Sequence, residues 1–300
     1  MATEVLLALV RANIAAAAAI LVVLLLRRPA RRLFGAQAAY ILWLCAPAAM
    51  LGAVFALTTS THPRHAAKAL NQSAKAWLAA PEHASGLLAL WLVGAAAAFG
   101  FVAWSQLRFL AAARAGRAGP AVTGVFHARL VVPGDFAERF TPEERRLVRA
   151  HERAHIDRSD ARANALSVLV QCLCWFNPLL HVAARAMRLD QELACDATVL
   201  ARLPRERRRY AETLLKTQLV RGGPPPLGCH WAARGIHPLE ARITMLTRPS
   251  PPQARQDAGM ALLVVLGIVF AFAAWALQPA QPPWVAMAIT LPMTLLLEVG

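Results

Sequence analysis

Apolar positions in this chain follow two patterns. In four places they run almost without a break. These are about Val5 to Leu26, interrupted only by Arg11, about Phe34 to Leu57, about Ser85 to Leu110, interrupted by Arg108, and about Ala258 to Leu277. Each block reaches the ~20 apolar residues that cross a bilayer. Each therefore predicts a membrane-spanning helix. The first block is not a secretory signal. No small-residue cleavage site follows it, and Arg27, Arg28, Arg31 and Arg32 come instead.

Between the third and fourth blocks the pattern changes to short alternating and helical periods. Leu130-Val131-Val132 reads as a short strand, with Ala121 to Phe126 as its partner. The stretch "TPEERRLVRAHERAHIDR" then opens a helix. Thr141 is its cap, Pro142 fits the first turn, and Glu144 closes a capping box. This helix is expected to end or bend near Ser159 and to resume along "ARANALSVLVQCLCWF". Asn177-Pro178 starts another helix, which Pro204 stops. The Gly/Pro-rich "RGGPPPLG" at 221 to 228 is a loop. The predicted fold is mainly α. It has four transmembrane helices and an inserted domain, α with a small β-sheet, between spans three and four. The expected boundaries are a membrane region at 1–110, the inserted domain at 111–257, the fourth span at 258–277 and a short tail at 278–300.

Composition sharpens the membrane reading. Of 300 residues, 57% are hydrophobic, above the ~45–50% usual for soluble domains, and the excess lies in the four blocks. The net charge of +15 is mostly a topology signal. Residues 111–257 carry 23 Lys+Arg against 14 Asp+Glu, and the link between spans one and two carries four Arg and no acid. Basic segments stay in the cytoplasm. The N-terminus and tail are then expected outside, and the inserted domain inside, at the inner membrane of a bacterium. No nucleic-acid-binding motif accompanies the charge, so direct contact with nucleic acid is not expected. Five cysteines in this arrangement read as small buried side chains rather than a disulfide framework.

The chemistry concentrates in "HERAH". His151 and His155 are four apart, so a helix places both imidazoles on one face, where they can share one zinc ion. Glu152 lies about 100° around the helix, placed to activate water in an open metal position. "DQELACD" puts Glu192 and Asp196 on one face of the next long helix. Glu192 can supply a third ligand, and Asp196 can accept the other ring N–H of a ligating histidine. The solvated-face alternative is costly for acids flanked by Leu193, Ala194 and Val199.

HERAH, the WFNP segment, ELACD and the later "HPLEARITML" occur in that order. On these motifs the chain resembles the BlaR/MecR-type antirepressor metallopeptidases of bacteria. The resemblance implies an integral-membrane zinc endopeptidase, gluzincin-like, that answers an envelope signal by cutting a cytoplasmic transcriptional repressor. It makes His151, His155 and Glu192 the zinc ligands, Glu152 the general base and Asp196 their support. His237 and Arg242 become candidates to stabilise the oxyanion, with a structural role also open for each. The implied partners are a repressor-type protein substrate and the lipid bilayer, with a homodimer as a further candidate. Two alternatives stay open, a quality-control or CAAX-type membrane zinc peptidase and a non-proteolytic signalling scaffold. One departure stands out. The chain has no S-x-x-K motif, its lysines being Lys68, Lys75 and Lys216, so β-lactam acylation is not the expected signal.

Overall fold

A computed structural model describes residues 2–59, 81–217, 226–227, 229–230 and 236–277. The tail expected after the fourth span, and most of the segments at 59–84 and 221–228, lie outside the described residues.

Helix α1 (Ala2–Phe34) is followed by α2 (Ala36–Ile41), a 3-10 turn (Leu42–Leu44) and α3 (Cys45–Thr59). Next come α4 (Pro81–Arg114), β1 (Ala121–Thr123), β2 (Arg129–Val131) and the short α5 (Phe136–Arg139). The chain continues as α6 (Pro142–Asp157), α7 (Asp160–Leu173), α8 (Pro178–Arg202) and α9 (Arg207–Thr217). It ends, within the described residues, with β3 (Cys229–His230), α10 (Ile236–Thr247) and α11 (Gln253–Ala276). Four helical stretches are long and apolar enough to cross a membrane: Ala2–Phe34, Ala36–Phe55, His83–Arg114 and Gln253–Ala276. The expected class holds: a mainly helical protein with four membrane-length helices and a small β-containing region between the third and fourth.

The chain forms two compact units. The described residues of Met1–Leu26, Ile41–Gly94 and Met260–Gly300 make one, which holds most of the apolar helix length. Within it, α3 and α11 touch backbone to backbone. A Cβ on Gly52 would collide with the carbonyl of Ala271. Such small-residue contacts let membrane helices gain close packing where hydrophobic burial gives no net drive.

The other unit comprises Arg27–Tyr40 and Ala95–Gly259. Its sheet has the order β2-β1-β3, antiparallel throughout, with Ala121 opposite both Val131 and His230. The sequence pattern did not announce β3, because two residues are too few to show alternation. Thr141 and Glu144 exchange both bonds of a capping box at the start of α6. Leu147, Val148, His151, Glu152, Ala154 and His155 form the buried stripe of that helix, with Arg149 and Arg153 outward. Ser159 breaks the run. Its φ of 57° is left-handed, and the chain turns there so that Asp160 opens α7 close to His155. Asn177 caps α8 through its side chain to the Leu179 amide at 3.0 Å. The core under the site joins Phe140, Leu147, Val199, Tyr210, Leu214 and Leu246.

Candidate metal centre

Helices α6 and α8 bring the sequence-predicted acids and histidines together. The Nε2 atoms of His151 and His155 lie 3.0 Å apart, and both rings are fully buried. The reason is visible behind each ring. His155 Nδ1 stands 2.7 Å from Asp160 Oδ2, and His151 Nδ1 stands 2.8 Å from the Tyr210 hydroxyl. Tyr210 in turn donates to Asp196 Oδ1 at 2.6 Å. A hydroxyl that donates to a carboxylate must accept from the ring, so the His151 proton sits on Nδ1. The Asp160 carboxylate accepts the His155 proton in the same way. Both Nε2 lone pairs therefore point at each other across 3.0 Å. Two such lone pairs repel unless a cation lies between them. Ligands of a tetrahedral zinc with Zn–N near 2.0–2.1 Å stand roughly 3.3 Å apart, so the pair fits zinc.

Carboxylates surround this pair. Glu192 places its two oxygens 3.2 and 3.3 Å from the Nε2 atoms of His151 and His155. Asp196 Oδ1 lies 3.3 Å from His151 Nδ1, with the Tyr210 hydroxyl closer still. Arg242, fully buried on α10, forks onto Asp196 through Nε at 2.8 Å and Nη2 at 2.7 Å. Its Nη1 reaches Glu192 at 3.1 Å. Burial pushes Asp196 up, but Arg242 and the hydrogen bonding with His151 outweigh it and bring the group down to about 2. Burial likewise opposes ionisation of Glu192, yet Arg242 and the two histidines hold it well below the usual carboxylate range. Glu152 differs. Burial pushes it up to about 7, and neither of its oxygens has a hydrogen-bond partner among the described residues. An orphaned buried carboxylate beside two converging imidazoles is a group that can exchange a proton near neutral pH. His237 lies in the first turn of α10, and its side chain is outside the described residues.

One expectation is corrected here. The sequence reading of a gluzincin-like HExxH zinc metalloendopeptidase asks for two histidines and a carboxylate as the donor group. Among the described residues, the donor group that closes within 4.8 Å is His151, His155 and Cys195, all three buried. The physical reason is the pitch of α8. Cys195 follows Glu192 by three residues, and its Sγ sits 3.2 Å from His155 Nδ1 and 3.6 Å from Asp160 Oδ2. Burial pushes this thiol up to about 11. The His155 ring thus meets a thiol on its Nδ1 edge and the Glu192 carboxylate on its Nε2 edge. Periodicity alone read Cys195 as a small core residue and could not show the thiol turned to the histidine.

Tyr210 and Asp160 also escaped the sequence reading. Tyr210 is 59 residues beyond its partner His151, and nothing in its local sequence marks it. Asp160 had one available signal, an acid directly after a predicted helix break. A cavity of about 710 Å³ in this unit lies elsewhere, lined by Trp104, Arg108, Gln171, Trp175, His181 and Arg188 among others. His181 faces that cavity, and its Nε2 donates to the Trp175 carbonyl at 3.1 Å.

Buried histidines with converging lone pairs, in a chain with four membrane-length helices, define a membrane protein with a zinc-type metal centre. The chain belongs to the BlaR1 peptidase M56 family, whose profile matches residues 7–119 and 113–246. It is similar to the methicillin resistance mecR1 proteins of Staphylococcus aureus and Staphylococcus epidermidis. Identity to each is 33% over 103 residues, 34% of this chain and 18% of the relative. It is also similar to the regulatory protein BlaR1 of Bacillus licheniformis, 25% identical over 156 residues, 51% of this chain and 26% of the relative. The matched regions span about a quarter or less of these relatives' length. No solved structure matches the chain. Family membership and the histidine cluster together support a zinc-metallopeptidase signalling role.

Proposed function

We propose that the protein is a signalling zinc peptidase of the inner membrane, which relays an envelope signal by cutting a cytoplasmic repressor-type protein. The observation that carries this reading is the unpartnered, fully buried Glu152 carboxylate beside the two converging Nε2 atoms. Family membership supports it. The basic excess of residues 111–257 supports a cytoplasmic site with the N-terminus outside.

In this reading His151 and His155 hold the metal through Nε2, and Glu192 faces it from the same side. Zinc, when bound, supplies Lewis-acid activation of water and of the scissile carbonyl. Glu152 takes the proton from the attacking water and later hands one to the leaving amine. Asp196 acts through Tyr210, keeping the His151 proton on Nδ1. Arg242 neutralises Asp196 and Glu192 together, so it holds the acids in place rather than meeting the substrate. Strand β2 is the outer strand of the sheet among the described residues, where an extended substrate segment would pair.

Two measurements test the reading. A reporter fused after Arg221 should read cytoplasmic, and a periplasmic result would remove any DNA-binding protein from the list of substrates. A winged-helix repressor from the same genome, co-expressed under inducing conditions, should be shortened by the parental chain and left intact by Glu152→Gln. Equal shortening by both would show that the cut does not come from this site.

A further inference from the structure

The short link between the first two spans is built into the metal centre. Residues 27–40 belong to the same compact unit as HERAH. Arg27 and Arg31 close on Asp190, which is fully buried, at 2.9 and 3.2 Å. Asp190 precedes Gln191 and Glu192 on α8, so the arginines grip the helix that carries an acid of the site. Near the start of the second span, the Tyr40 hydroxyl donates to Asp160 Oδ1 at 3.0 Å and accepts from Gln191 Nε2 at 3.0 Å. The other Asp160 oxygen holds His155 Nδ1 at 2.7 Å. Arg158 seals the arrangement. Its guanidinium pairs with Asp160 at 3.0 Å and lies over the Tyr40 ring, 4.6 Å from the centroid.

We infer that Tyr40 is a positioning residue for the metal, acting through Asp160 on His155, so that the start of the second span sets how firmly the centre holds its ion. The inference rests on the zinc reading given above. Its chemical basis is the hydrogen bond behind a ligating histidine. That bond fixes the ring's tautomer and direction, and losing it typically weakens metal binding ~10–100-fold. Asp160 has two oxygens and one ring to aim. Tyr40 holds the second oxygen, so moving its hydroxyl turns the carboxylate and with it the imidazole.

The test uses the full chain in detergent, loaded with zinc or with cobalt as a spectroscopic substitute. Tyr40→Phe keeps the ring and its cation–π contact and removes only the hydroxyl. Chelator competition should show about one zinc per chain in parent and variant, with affinity lowered ~3–10-fold in Tyr40→Phe and ~10–100-fold in Asp160→Asn. In the Asp160→Asn background, Tyr40→Phe should add little, because both changes cut one chain of contacts. The visible cobalt bands should shift in Tyr40→Phe while thermal unfolding stays near parental. A purely structural tyrosine would not move those bands. Parental affinity and cobalt bands in Tyr40→Phe, with Asp160→Asn weakened, would overturn the relay and leave the zinc site standing. A parental chain that takes up neither ion would overturn the zinc reading, and this inference with it.

Discussion

Replacing Arg242 with methionine removes a cation that faces two buried acids. Arg242 makes two charge-assisted hydrogen bonds to Asp196 at 2.8 and 2.7 Å and pairs with Glu192 at 3.1 Å. All of its side chain is out of water. Breaking a buried pair by removing one partner costs about 3–5 kcal/mol, since the remaining charge has neither water nor counterion. Methionine fills similar volume, so the cavity contribution is small and the loss is mostly electrostatic. For a unit of this size each kcal/mol moves the midpoint by ~2–4 °C, so thermal unfolding of the metal-free chain in detergent should fall by roughly 10 °C. The pH dependence gives a second handle. Asp196, held down to about 2, contributes stability that is present above its unfolded value and lost as pH falls through about 2. Without Arg242 burial wins and that acid limb moves to higher pH. Adding Asp196→Asn to Arg242→Met should restore part of the loss, because it removes one of the stranded charges. An Arg242→Met midpoint within ~2 °C of the parent would refute this reasoning, as would a double variant that falls by the plain sum of the singles.

Glu152→Gln should retain zinc by metal analysis and lower cleavage ~10²–10⁴-fold, since only a proton acceptor is lost. The same change should raise the metal-free midpoint more at pH 8 than at pH 5. A carboxyl raised to about 7 in the fold loses stability as pH climbs from its unfolded value through 7. Cys195→Ala and Glu192→Gln compared for zinc content identify which edge of His155 bears the ion. A larger loss from Cys195→Ala places the ion with the His151, His155 and Cys195 group, and a larger loss from Glu192→Gln would refute that donor set. Gly52→Val should cut the yield of folded chain, measured by detergent size exclusion, because the new side chain meets the Ala271 carbonyl. Parental yield would mean that the two helices can separate at no cost.

The sequence disclosed features whose causes are local. Spans declare themselves by length, the start of α6 by Thr141, Pro142 and Glu144, and its end by the break near Ser159. The i, i+4 spacing of His151 and His155 was enough to put both rings on the buried stripe. Contacts made across the fold were another matter. Tyr210 comes between His151 and Asp196, the direct neighbours expected from the sequence. Asp160, one residue past the turn, is the acid that holds His155. Cys195 carries no periodic signature that separates a thiol facing an imidazole from one filling a core. Tyr40 lies within an apolar block, where its pattern is that of any span residue. Such partners are chosen by tertiary geometry, and a single sequence does not encode them in its spacing.

The rings of His151 and His155 are held from behind by Tyr210 and Asp160, through hydrogen bonds made within the protein. Folding and metal capture are therefore expected to be separable in this protein. In a zinc finger the ion organises the chain, and a chelator unfolds it. Here the cavity for the ion is shaped in advance by protein–protein hydrogen bonds, so stripping the metal should leave a folded, empty mould. Metal supply could then turn the centre off and on within the lifetime of one molecule, with no new synthesis and no refolding in the membrane.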